Sequence, residues 1–225
     1  MALLLAAPAM AADPGFLKPS GMYDPAHYLP PPPAPGSPRA LAELAEVKRL
    51  MAEATPEQIA QAKSDDGSEN GIIFGVVLGP GWDLSKLPAT AKVINEVTGT
   101  EGPFSDIAKQ EFKRDRPWIV DPSLQTCAAH KPSQDHASYP SGHATVGYGM
   151  GIVLANLMPS HAQAILGRSA QFAENRVICG MHFRSDIVAG QQFGTIMAIR
   201  LMQNPQFQAD MNAARAELSA AHLAP

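Results

Sequence analysis

No stretch of this chain alternates apolar and polar residues with the two-residue period of a half-buried strand, whereas apolar residues recur three and four apart between Pro38 and His222. That contrast confines the fold to helices, and local signals mark their ends. A helix is predicted from Pro38 or Arg39, with Leu41, Leu44, Ala45, Val47, Leu50 and Met51 along one face. Thr55-Pro56-Glu57-Gln58 is a capping box with proline at the first helical position, opening a second helix to about Ala62. Ser64 to Gly71 is a polar loop, and Gly71 to Leu78 a packed turn region. Leu84 to Val97, ended by Gly99, and Phe104 to Arg114, stopped by Pro117, are two further helices. Trp118 to Tyr139 is a loop. Ala144 to Leu157 is a long apolar helix whose Gly147, Gly149 and Gly151 permit close packing. Ser160-His161-Ala162-Gln163 is a second capping box, opening a helix to about Ile178. Ser185 to Met202 and Pro205 to His222 complete an all-α helical bundle.

Residues 13–38 hold Pro14, Pro19, Pro25, Pro30 to Pro33, Pro35 and Pro38, a density that forbids helix and sheet and predicts an extended arm. Ahead of it, residues 1–12 close a short apolar run with Ala-Met-Ala, the form of a truncated secretory signal cleaved after Ala11 or Ala12, although a basic start is missing. Residues 39–225 are expected to form a single helical domain, since 225 residues at 45% apolar content can build one sizeable core. A net charge of −4 and a pI near 5.9 argue against a nucleic-acid or membrane-surface binder. No later run approaches the roughly 18 apolar residues of a membrane span. Two cysteines, Cys127 and Cys179, favour one disulfide in an exported chain, with two buried thiols as the alternative; their spacing is unlike a zinc site. The expected location is the periplasm or the medium.

Three motifs carry chemistry. Lys109, Lys113, Arg114 and Arg116 are a basic knot in an acidic chain, which suggests an anion pocket. Lys109 and Arg116, seven residues apart, are expected on nearly the same face of one helix, where two cations repel unless an anion lies between them. A solvated basic face is the plainer alternative. Pro140-Ser141-Gly142-His143 precedes a helix, so Gly142 lets the backbone approach a ligand and His143 stands where it can hand over a proton. Alternatively, Ser141 merely caps. In the third motif, Arg176 precedes His182 and Asp186, and a carboxylate four residues on fixes the imidazole tautomer and frees the other nitrogen for attack. Tyr139 and Trp118 are expected at the substrate mouth. His27, His130, His136, His161 and His222 have no partner spacing and are expected on the surface.

In this order, with 22 residues between Pro117 and Pro140 and 31 between His143 and Asn175, the motifs resemble the signature of the phosphatidic acid phosphatase type 2 and vanadium haloperoxidase superfamily. Ser138-Tyr-Pro-Ser-Gly-His143 and Arg176-Val-Ile-Cys-Gly-Met-His182 are similar to the wording of bacterial class A nonspecific acid phosphatases, as is Leu29 followed by four prolines. The likeness runs from about Tyr28 to Met202. It implies a helical bundle of the acid phosphatase and vanadium haloperoxidase type, without metal or cofactor, that hydrolyses a broad range of phosphate monoesters through a phosphohistidine. His182 is implied as nucleophile, Asp186 as its orienter and His143 as general acid and then base. Lys109, Arg116, Ser141, Gly142 and Arg176 would hold the phosphoryl oxygens. Inorganic phosphate or vanadate are the expected ligands, alcohols a second acceptor giving phosphotransferase activity, and a homo-oligomer is compatible with the apolar bundle. The family's usual serine before the arginine is Asn175 here, which puts one secondary contact in doubt. The two histidine roles predict an acidic optimum. The rival readings are a vanadate-dependent haloperoxidase, a class with much longer chains, and a non-catalytic phosphate-binding protein, which would need neither His143 nor the His182–Asp186 pair.

Overall fold

The computed structural model describes residues 25–224, which form helices and their connections with no strand among them. The expected signal and the first part of the arm lie outside the described residues. The remainder of the arm departs from a wholly extended course, because Pro25–Tyr28 makes one helical turn, α1. Leu29 is then buried in the core, and the Tyr139 hydroxyl donates to the Pro30 carbonyl at 2.5 Å, pinning the prolines to the bundle.

α2 (Pro38–Glu53) is capped by Ser37, and α3 (Pro56–Asp66) by the Thr55–Gln58 box in both directions, with bonds of 3.3 and 2.8 Å. α3 runs a turn past Ala62, into what reads as polar loop. A 3₁₀ turn, Gly71–Phe74, leads into the short α4 (Gly75–Leu78). Where two helices are expected, a single one of 25 residues forms, α5 (Pro88–Phe112), running through Gly99, Gly102 and Pro103. Proline removes one ladder bond at about 3 kcal/mol. Burying Val93, Ile94, Val97, Phe104 and Ala108 along one continuous face offsets this at about 1.5–3 kcal/mol for each large side chain.

The helices α6 (Pro117–Val120), α7 (Gly142–Leu157), α8 (Ala162–Ile178), α9 (Arg184–Met202) and α10 (Pro205–Ala220) follow. The Ser160 capping box does not form: Pro159–His161 make a 3₁₀ turn, Ser160 Oγ turns to His161 Nδ1, and α8 starts without a side-chain cap.

α7 is the axis of the molecule, packed against α9, α8 and α5, with α10 laid on α5. A Cβ on Gly190 would lie 2.6 Å from the Ser141 carbonyl, and one on Gly194 would strike that of Thr145. The α9 backbone therefore rests on the α7 backbone, and the two helices run side by side in the same direction. The Ser141 amide donates to the Asp186 carbonyl at 3.0 Å, joining their N-terminal ends. Two positive helix ends thus meet where α8, running the other way, terminates with Arg176.

Candidate active site

The chain turns back sharply at the end of α8. Gly180 adopts φ +71°, the left-handed conformation that closes a helix, and the amides of Met181 and His182 return to the Arg176 carbonyl at 2.9 and 3.2 Å. This reversal sets His182 against Arg176. His182 stands outside α9, two residues before Arg184, so it does not meet Asp186 along one helix face. Instead Asp186, in the first turn, reaches back to accept from the Phe183 amide at 2.9 Å and faces His182 Nδ1 at 3.2 Å.

The hydrogen bonds of His182 define its tautomer. Arg116 Nη1 lies 2.7 Å from Nε2, and a guanidinium only donates, so Nε2 is the acceptor and Nδ1 carries the proton toward Asp186. The ring is 1% exposed. Burial first, then the charges of Arg116, Arg176, Lys109 and His143, hold its pKa well below 6.5. The imidazole is neutral, with a lone pair at the cleft. Asp186 is wholly buried, and burial raises its carboxyl above the ordinary value against the pull of Arg114, Ser138 and the Phe183 amide. Ser138 Oγ donates to it at 2.6 Å, and Arg114 Nη1 at 2.6 Å. Arg114, read from sequence as part of a basic face, belongs instead to a buried network with Glu43 and Ser185.

Lys109 and Arg116 do not share a helix. α5 ends at Phe112, Lys113 takes a left-handed φ of 45°, and Arg116 precedes α6. Both nevertheless line one cleft of ≈ 380 Å³, with Gly142, His143, Arg176, His182, Asp66 and Glu69. Arg116 Nε and Arg176 Nε and Nη1 are buried without hydrogen-bond partners, an arrangement that calls for an anion. A Cβ on Gly142 would lie 3.2 Å from Lys109 Nζ, so glycine keeps the floor open. Ser141 is buried beneath, its Oγ accepting from the Ala144 amide at 3.3 Å as the cap of α7. A second cleft of ≈ 230 Å³ under the arm, between Pro32–Gly36 and Leu41, Leu44 and Phe183, is lined by neither histidine.

His143 is arranged oppositely to His182. Its Nδ1 faces Glu69 Oε1 at 2.7 Å and its Nε2 the Asp66 carbonyl at 3.0 Å, and only the doubly protonated ring can donate to both. Asp66 and Glu69 carry no signature spacing and escape a reading of the sequence. Asp66 also bridges to Arg176 Nη2 at 2.7 Å. Asn175, the departure from the family's serine, donates to Asp65 Oδ2 at 2.7 Å, and Arg168 holds the other oxygen at 2.5 Å. Tyr139 and Trp118 do not line the mouth. Tyr139 is buried against Phe112, and Trp118 stacks on His130 behind Arg116. Cys127 and Cys179 are disulfide-bonded, tying the loop that bears Ala129, Lys131 and Gln134 of the cleft to the turn before His182.

A cationic, anion-sized cradle containing a carboxylate-oriented neutral histidine defines a class of oxyanion-handling sites. Residues 91–210 match the PAP2 superfamily, and the chain belongs to that family. It is 32% identical to an acid phosphatase of Zymomonas mobilis over 214 residues, covering 91% of this chain and 80% of that protein. The non-specific acid phosphatases of Salmonella typhimurium and Providencia stuartii are 30% and 29% identical, each across 91% of this chain and 84% of theirs. Among the described residues no helix is long and apolar enough to cross a membrane.

Proposed function

We propose that this acid phosphatase hydrolyses phosphate monoesters through a phosphohistidine on His182, with no metal ion. The observation that carries the reading is the neutral His182 with Nε2 at the cleft and Nδ1–H on Asp186. The phosphoryl oxygens take the unpaired guanidinium nitrogens of Arg116 and Arg176, Lys109 Nζ and the amides over Gly142, while Ser141 Oγ keeps its own proton to donate. The bound phosphoryl oxygens draw Arg116 Nη1 off Nε2, and the lone pair so released attacks phosphorus as the ester P–O bond breaks. The departing oxygen takes the His143 Nε2 proton that otherwise rests on Asp66 O. Water then attacks the phosphohistidine, gives a proton to His143, and phosphate leaves as the P–N bond breaks. An alcohol replacing that water yields phosphotransfer. The likeness to non-specific acid phosphatases supports a broad substrate range, and the disulfide supports export to an oxidising compartment.

The test is phosphate release from p-nitrophenyl phosphate at pH 5 in EDTA. The unmodified protein should be active, and His182→Ala should lose at least about 10³-fold while keeping its melting temperature within a few degrees. Activity that requires added metal, or that survives in His182→Ala, contradicts the proposal.

A further inference from the structure

Glu69 and Asp66 stand among the cations that would bind phosphate, on the side of the cleft occupied by His143. The Glu69 side chain is 46% exposed and bonded to the ring that would protonate the leaving oxygen, so one imidazole width separates its carboxylate from that oxygen. Asp66 occupies Nη2 of Arg176 but leaves its Nε and Nη1 unpaired. A phosphoryl group can therefore bind to the free nitrogens without displacing either acid. The acids are also anchored from behind, because neighbouring Asp65 is held by Arg168 and Asn175. Glu69 stays charged in acid: burial pushes its carboxyl up, but the His143 hydrogen bond and the charges of His143, Lys109 and Arg176 hold it at about 2.

We infer that Asp66 and Glu69 select substrates by the charge of the leaving group, favouring cationic and neutral alcohols over polyanions such as nucleoside triphosphates. This rests on the phosphatase reading of the same site. Lys131, on the opposing loop, also lines the cleft and attracts anions, but it makes no contact with His143, whereas Glu69 does. Two unit charges about 7 Å apart, in a medium between protein and water, alter an equilibrium by roughly tenfold.

The experiment compares kcat/KM for phosphoethanolamine, p-nitrophenyl phosphate and ATP in the unmodified enzyme, Glu69→Gln and Asp66→Asn. The unmodified enzyme should rank them in that order after allowance for leaving-group reactivity. Glu69→Gln should raise the ATP to p-nitrophenyl phosphate ratio about tenfold and lower the phosphoethanolamine ratio. Rates that fall equally for all three, leaving the ratios unmoved, would show a merely supporting role for His143 and overturn the inference. An independent measurement needs no variant: raising salt should increase the ATP ratio in the unmodified enzyme, and a flat ratio counts against the idea. If the unmodified enzyme releases phosphate from none of the three, the phosphatase reading itself fails; if it cleaves p-nitrophenyl phosphate but the ratios stay fixed, only the selection fails.

Discussion

His182 accepts at Nε2 and donates at Nδ1, while both nitrogens of His143 face acceptors, so one residue type serves in two protonation states within one cleft. Their partners set that difference, and the partners are the place to test it. Asp186→Asn keeps the shape but can offer an N–H to Nδ1, which inverts the tautomer; kcat should fall by about 10²–10⁴-fold, and stability should fall as well because Arg114 loses a buried anionic partner. Arg114→Ala should act differently, because it strips a charge from the buried Asp186 and Glu43. A loss of about 3–5 kcal/mol in urea unfolding is expected, and a change under 1 kcal/mol would contradict the network. The histidines, Lys109, Arg116 and Arg176 were legible because their chemistry comes with motif spacing. Arg114, Glu43, Asp66 and Glu69 were not, because each acts through a fold contact far away in sequence.

Helix existence was legible from apolar period and caps, as with Thr55 and its box. Continuity through Pro103 was not, since a breaker is a local signal and burial of the α5 face is a tertiary one. Nothing lies within 4 Å of a Cβ placed on Gly99 or Gly102. Alanine at either site should therefore stabilise α5 by about 0.5–1 kcal/mol. Alanine at Gly194 should do the reverse, because its Cβ meets the α7 backbone. A loss of about 1–3 kcal/mol is expected, with activity falling as α9 carries Asp186 away from Ser141. The disulfide closes a loop of 52 residues, for which chain entropy suggests up to about 4 kcal/mol. The double variant Cys127→Ala with Cys179→Ala should lower the unfolding midpoint accordingly.

For the molecule as a whole, opposing titrations shape stability. His182 has a folded pKa well below 6.5, so between the two values the unfolded chain holds a proton that the folded chain lacks, and stability rises with pH there. Glu69 acts in the same sense: its contribution is present above 4.5 and lost as pH falls through about 2. Glu96, raised to about 7 by burial and by Asp210, and Glu101, pushed well above 4.5 by burial, act oppositely. The folded chain keeps their protons when the unfolded chain has released them, so stability falls as pH rises from 4.5. Neither Glu101 oxygen has a hydrogen-bond partner, and a Cβ on Gly149 would occupy the carboxyl's place. Glu101→Gln should flatten the loss of stability between pH 5 and pH 8, read from urea midpoints; an identical slope in both proteins would contradict the assignment.

The central claim is a covalent bond between phosphorus and one nitrogen of one histidine. Quenching turnover of a ³²P-labelled monoester in alkaline denaturant, which preserves phosphohistidine, and mapping the label by peptide should place it at His182, with none retained by His182→Ala. Label on another residue, or a variant that still labels, would contradict the account.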